Sequence, residues 1–291
     1  MPTYSALTTL PDAANAQSLG AAMEDMDPAP SGVGVFEVED GSALWEVGGY
    51  FTEPPSGAEL ALLAAAFGAR PFVVSEVPDI DWVAKVRREL TPVEAGRFFV
   101  YGSHDADRLQ PESVGLLIEA AMAFGTGHHG TTQGCLRALD RLDRAGHRPR
   151  RIADIGCGTA VLAMGAAAIW DCDVVLASDI DAVAVEVAAA NVAANGLNGR
   201  VKCIEATGFD HPDLAASAPF DLIFANILKG PLIELAPEMA RHTAPGGHVI
   251  LSGLLERQAD AVLDAYGAAG FVPVAREDLE GWSSLTLRRD G

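Results

Sequence analysis

From residue 151 onward, short apolar runs alternate with amphipathic stretches. Runs at 152–155, 174–178, 201–204, 221–226 and 248–252 have the length and composition of strands. Between them, 160–169, 182–195, 232–242 and 259–269 have helical character, with Asp181 as an N-cap and Gly196 just past the end of its helix. Two more strand-like runs follow at 271–275 and 284–288. Alternating βα units predict an α/β fold, a mostly parallel sheet with helices on both faces.

The first quarter of the chain has a different rhythm. Apolar residues alternate on both sides of Glu39-Asp40-Gly41-Ser42, and the Asp-Gly pair predicts a hairpin starting at Gly32. A helix is expected over 59–67, ending at Gly68, and a strand over 71–77. These elements make residues 1–77 a small α+β domain. Residues 78–120, with a helix over 82–90, a strand over 97–101 and a loop rich in Ser, His and Asp, are expected to be a connector and the entry to a second domain at 121–291. A further helix is predicted over 133–142.

Length and composition agree with two folded domains: 291 residues, 49 % hydrophobic and 21 % charged. Apolar runs such as 60–67 and 116–124 are shorter than the roughly 18 residues a membrane helix requires, and residues 1–10 lack a basic start. No membrane association and a cytoplasmic address are expected. The four cysteines, at 135, 157, 172 and 203, form no C-x-x-C pair and suggest neither a zinc site nor a disulfide framework. Charge is unevenly spread. Of the net −20, residues 1–80 carry −11, with 12 acids against one base, Arg70. Such a surface repels phosphate backbones and attracts basic partners, so a basic protein is a better partner than nucleic acid. Solubility or tolerance of salt is the competing explanation.

Candidate chemistry clusters at predicted strand ends. Asp154-Ile155-Gly156-Cys157-Gly158 ends one strand and opens a helix, where glycines permit a tight turn and close approach of a ligand. A dinucleotide fingerprint would need a glycine at 161, which is Val161, and this disfavours a pyrophosphate cofactor. Asp154 ahead of the glycines looks like the acidic start of the S-adenosylmethionine loop in Rossmann-like methyltransferases. Asp179, at the end of the next strand, is placed to accept hydrogen bonds from ribose hydroxyls, whereas Asp181 reads as a helix cap. Asn226 ends a later strand, either to accept a hydrogen bond from an incoming amine or to cap a loop. Upstream, Met122-Ala123-Phe124-Gly125-Thr126-Gly127-His128-His129-Gly130-Thr131-Thr132 is a glycine-punctuated polar turn that reads as a lid over the ligand. Its two threonines can equally be helix caps, and its adjacent histidines lack the spacing of a metal pair, so no metal is expected.

Taken in order, AFGTGHHGTT, DIGCGTAVLA, SDID, ANILKGPL and LSGLL resemble the ribosomal protein methyltransferase family that modifies large-subunit protein eleven (PrmA). The resemblance covers about residues 80–290 and implies a Rossmann-like class I methyltransferase domain, preceded by a small α+β substrate-recognition domain. It further implies S-adenosylmethionine as cofactor, contacted by Thr132, Gly156, Asp179 and Asn226, with Phe124, Gly127 and His129 in the same lid; Asp154 and Gly158 complete the cofactor loop. Two departures stand out: Gly130, where the family often has proline, and Lys229, where a small residue is usual. The expected activity is methylation of amino groups on a basic large-subunit ribosomal protein by a monomer, with Asn226 orienting the amine. Rival readings are a methyltransferase acting on glutamine or a small molecule, a nucleotide-binding oxidoreductase, and a non-catalytic nucleoside-binding module.

Overall fold

The structure is a computed structural model; it describes residues 3–38, 44–77, 92–118 and 129–290. The predicted hairpin turn at 39–42, the predicted helix over 82–90, and Phe124 and Gly127 lie outside the described residues. Two compact units divide the chain between Trp82 and Val83.

The first unit runs β1 (Thr3–Leu10), α1 (Ala13–Glu24), β2 (Gly32–Glu37), β3 (Trp45–Phe51), α2 (Gly57–Phe67) and β4 (Val73–Val77). The strands form an antiparallel sheet in the order β2-β3-β1-β4, a ferredoxin-like arrangement with α1 and α2 packed over one face. Ala6, Leu10, Val47 and Phe51 from the strands and Ala16, Leu19, Met23 and Leu60 from the helices form its core. The hairpin strands, α2 and β4 stand where the alternation predicts them. Gly68 ends α2 at φ 67°, the left-handed conformation a glycine cap supplies.

The second unit opens with β5 (Val93–Ala95), β6 (Phe98–Tyr101) and β7 (Val114–Leu117), a three-stranded sheet. Within the stretch expected as a connector, then, Val93, Phe98, Val100 and Leu116 enter the same core as the helices that follow. Next come α3 (His129–Arg144), β8 (Arg151–Ile155), α4 (Val161–Ile169), β9 (Val174–Asp179), α5 (Ala182–Ala194), β10 (Lys202–Glu205), α6 (Pro212–Ser217), β11 (Phe220–Asn226), α7 (Lys229–His242), β12 (Thr243–Leu255), α8 (Ala259–Ala268), β13 (Phe271–Leu279) and β14 (Trp282–Arg289). Seven strands form one sheet in the order β10-β9-β8-β11-β12-β14-β13, all running one way except β14, which is antiparallel to both its neighbours.

Strand residues alternate between two cores. Ile152, Val175, Leu222 and Ile250 face α3, α4 and α5, while Ala153, Leu176, Ile223 and Val249 face α6, α7 and α8. Burial on both faces explains why the strands read as continuous apolar runs. The order of parallel strands reverses between β8 and β11, and at such a switch point an open sheet offers a crevice at its carboxyl edge. No helix among the described residues is long and apolar enough to cross a membrane.

Candidate functional site

The carboxyl ends of β8, β9 and β11 adjoin at this crevice. β8 passes into α4 through Gly156 (φ 69°), Gly158 (φ 52°) and Ala160 (φ 59°). A Cβ at Gly156 would collide with the side chain of Ile227, just past β11, whereas Gly158 faces open space. Glycine at 156 thus lets the backbone turn beneath the next strand's exit loop.

The loop is tied to β9. Cys157 donates its N–H to the Ser178 carbonyl at 2.9 Å, and Gly158 donates its N–H to Asp179 Oδ2 at 2.9 Å. The other oxygen, Oδ1, accepts the Asp181 N–H at 3.1 Å. Asp181 itself caps α5, accepting the Val183 N–H at 2.9 Å, as its spacing predicts. Asp179 therefore holds the glycine loop and its own turn, and each carboxylate oxygen keeps a second lone pair for a ligand hydroxyl.

Asp154 is 1 % exposed beneath the loop and accepts the Ala163 N–H at 3.1 Å. Burial, aided by the charge of Asp179 and opposed by the Ala163 hydrogen bond, pushes its carboxyl up to about 7. Burial likewise pushes the Cys135 thiol up to about 12 and those of Cys172 and Cys203 to about 11, and all four cysteines are free. Burial thus holds these thiols in the protonated form, the weakly nucleophilic one, at neutral pH.

A pocket of about 820 Å³ opens at this edge. Gly156 and Asp179 line it with Ile180, Thr207, Phe209 and Ile227, and α7 closes another side through Leu235, Glu238 and His242. The His242 ring stacks on Phe209 with centroids 4.2 Å apart, and burial with Arg241 nearby depresses its pKa. Asn226 lies outside the lining, one residue before Ile227, with its Nδ2 donating to Thr131 Oγ1 at 3.3 Å. Thr131 is fully buried and Thr132 is 4 % exposed in the first turn of α3, which begins at His129. Of the residues expected to form the site, Gly156, Gly158, Asp179 and Asn226 come together at three strand ends, Asp154 sits under them, and Thr132 arrives on α3. Thr131, foreseen only as a cap or lid residue, is the one that touches Asn226. Phe209 and His242 were not foreseen, because nothing in a lone aromatic and a lone histidine 33 positions apart marks them as a stacked pair.

A doubly wound sheet, a glycine turn and an acidic residue at the next strand end define a Rossmann-like class I methyltransferase that uses S-adenosylmethionine. The family model described as ribosomal protein L11 methyltransferase (PrmA) matches residues 7–290. The chain belongs to that family. It is 49 % identical to the ribosomal protein L11 methyltransferase of Bradyrhizobium diazoefficiens over 263 residues, covering 89 % of this chain and 88 % of the relative. With the protein of the same name from Brucella suis it shares 44 % over 256 residues, covering 88 % and 89 %. Among solved structures it resembles the ribosomal protein L11 methylase of Lactobacillus delbrueckii subsp. bulgaricus, at 25 % identity and a TM-score of 0.58, over 69 % of this chain and 99 % of that one.

Proposed function

We propose that this protein transfers methyl groups from S-adenosylmethionine to amino groups of ribosomal protein L11, on lysine side chains and on the α-amine, acting as a cytoplasmic monomer. The observation that carries the reading is the convergence of Gly156, Asp179 and Asn226 on neighbouring strand ends beside one pocket. The residues fit the cofactor: the turn leaves no room for a Cβ at 156, Asp179 has spare lone pairs on the pocket wall, and about 820 Å³ accommodates a nucleoside with an amino-acid tail.

When bound, the cofactor supplies a methyl group on a positively charged sulfur. Asp179 accepts from the ribose hydroxyls while keeping its two backbone donors, and Gly156 brings the main chain against the ligand. Asn226 Oδ1 accepts from the incoming amine and turns its lone pair towards the methyl group. Attack of a neutral amine on a sulfonium disperses charge and creates no oxyanion, so orientation matters more than an oxyanion hole. A lysine must first lose its proton to water, which at pH 7 costs roughly 4 to 5 kcal/mol from a pKa of about 10.4. Residues 1–77 serve as the recognition domain, their acidity complementary to a basic substrate.

Labelled methyl transfer to purified L11, with peptides identified by mass, tests the proposal. Label on lysine and α-amino nitrogen is expected. Label on glutamine, or none above a blank, overturns it.

A further inference from the structure

The contact between Asn226 and Thr131 links residues 95 positions apart and joins the strand-end amide to the first turn of α3. An amide has two ends. If its NH2 is committed to Thr131 Oγ1, its carbonyl Oδ1 is turned the other way and is left to accept. A hydroxyl can also donate, so the anchor fixes the amide in this sense only while the Thr131 proton is given elsewhere, as a helical threonine gives it to a carbonyl of the preceding turn. Unanchored, the amide can rotate by half a turn and present donors, which repel the N–H groups of an amine.

What puts Thr131 within reach is a close approach of helix to sheet. Gly130 and Gly134 stand one turn apart on α3. A Cβ at Gly130 would lie 3.0 Å from the Leu279 carbonyl oxygen and 3.3 Å from the Trp282 ring, and one at Gly134 would collide with the Ser284 hydroxyl. The helix backbone therefore rests on the ends of β13 and β14. Ser284 is held in turn by Ser252, whose hydroxyl lies 3.0 Å from that of Ser284 and 2.8 Å from the Ser283 carbonyl. Ser252 is the register partner of Asn226 across β11 and β12, so the seat of the helix and the amide share one rigid strand pair. Further along, α3 is clamped to β13 by Arg137 and Arg141, which both pair with Glu277.

We propose that Thr131 is the positioning residue that sets the Asn226 amide for methyl transfer, with Gly130 and Gly134 fixing the depth at which it does so. This rests on the amine-orienting reading of Asn226. Thr131 touches neither substrate nor cofactor in this role; it acts through Asn226.

The test is a double-mutant cycle read as turnover and as cofactor dissociation constant. Thr131→Val, nearly isosteric but without the hydroxyl, should lower kcat about tenfold, the worth of one buried hydrogen bond, while leaving cofactor affinity within about twofold. Thr131→Ser should recover most of the turnover. Asn226→Ala should lose more, and adding Thr131→Val to it should change nothing further. Should the valine variant not fold, Thr131→Cys, a weak acceptor of similar size, takes its place in the cycle. Wild-type turnover in Thr131→Val, an equal loss in Thr131→Ser, or additive losses in the double variant overturns the inference and leaves the reading of Asn226 standing. Wild-type turnover in Asn226→Ala alone overturns that reading, and the inference with it.

Discussion

At position 154 a carboxylate sits where water does not reach, and its protonation is coupled to folding. The folded group binds its proton up to about pH 7, whereas unfolded it releases it near 3.8. Below the lower value both states hold the proton. Between the two only the folded chain does, so stability present in acid is lost as pH rises towards about 7 and changes no further above it. Asp154→Asn, which stays neutral, should flatten this part of the profile: melting temperatures of the two proteins should diverge between about pH 5 and about pH 8, with the variant gaining at the higher value. Asp179 and Asn226 separate differently. On the proposed role, Asp179→Ala would remove the acceptors offered to the ribose and also the observed anchor of Gly158, so cofactor affinity should fall tens-fold or more, as calorimetry would measure. Asn226→Ala should depress turnover at saturating cofactor more than it weakens binding. The placement of Asp154, Gly156 and Asp179 was legible because each lies at a fixed offset from the end of a strand that stands out as an apolar run. Thr131 was legible only as a polar residue in a promising loop; its partner lies 95 positions away and no local pattern points to it.

Elements were legible in proportion to their periodicity. The parallel strands stand out because burial on both faces makes them continuously apolar. β1 and α1 did not stand out: β1 turns Thr8 towards the helices, and five of the 12 residues of α1 are alanine, with Gly20 close against Val35 of β2. Insertion of β14 between β12 and β13 is likewise invisible in sequence, since it is a pairing between segments that no local apolar pattern specifies. The seating of α3 gives a prediction on this scale. Gly134→Ala would ordinarily favour a helix, yet here the added methyl meets the Ser284 hydroxyl. Overpacking of this kind costs about 1 to 3 kcal/mol, so denaturant unfolding should show a loss of stability, with turnover falling further than cofactor affinity as α3 lifts from the sheet.

Across the whole molecule, charge is unequally spread along the chain: −11 of the net −20 lies in residues 1–80. If that acidity captures a basic substrate, the rate at low substrate should fall several-fold as salt shortens the screening length from about 10 Å towards 3 Å, while the rate at saturating substrate stays nearly constant. Reversing Glu37, Glu39, Asp40 and Glu46 to lysine should raise the substrate KM and leave cofactor affinity unchanged; indifference to both changes would reduce the acidity to a solubilising role. Ser284, the seat of Gly134, is separated from it by 150 positions of chain, and this bears on the order in which the molecule becomes competent. β8, β9 and the glycine loop are near neighbours in sequence and need little loop closure to form. The seat of α3, which carries Thr131, is complete only when β14 has paired with β12 and β13. Refolding should therefore pass through a stage that holds the cofactor before it turns over, with activity returning no earlier than hydrogen-exchange protection of β14.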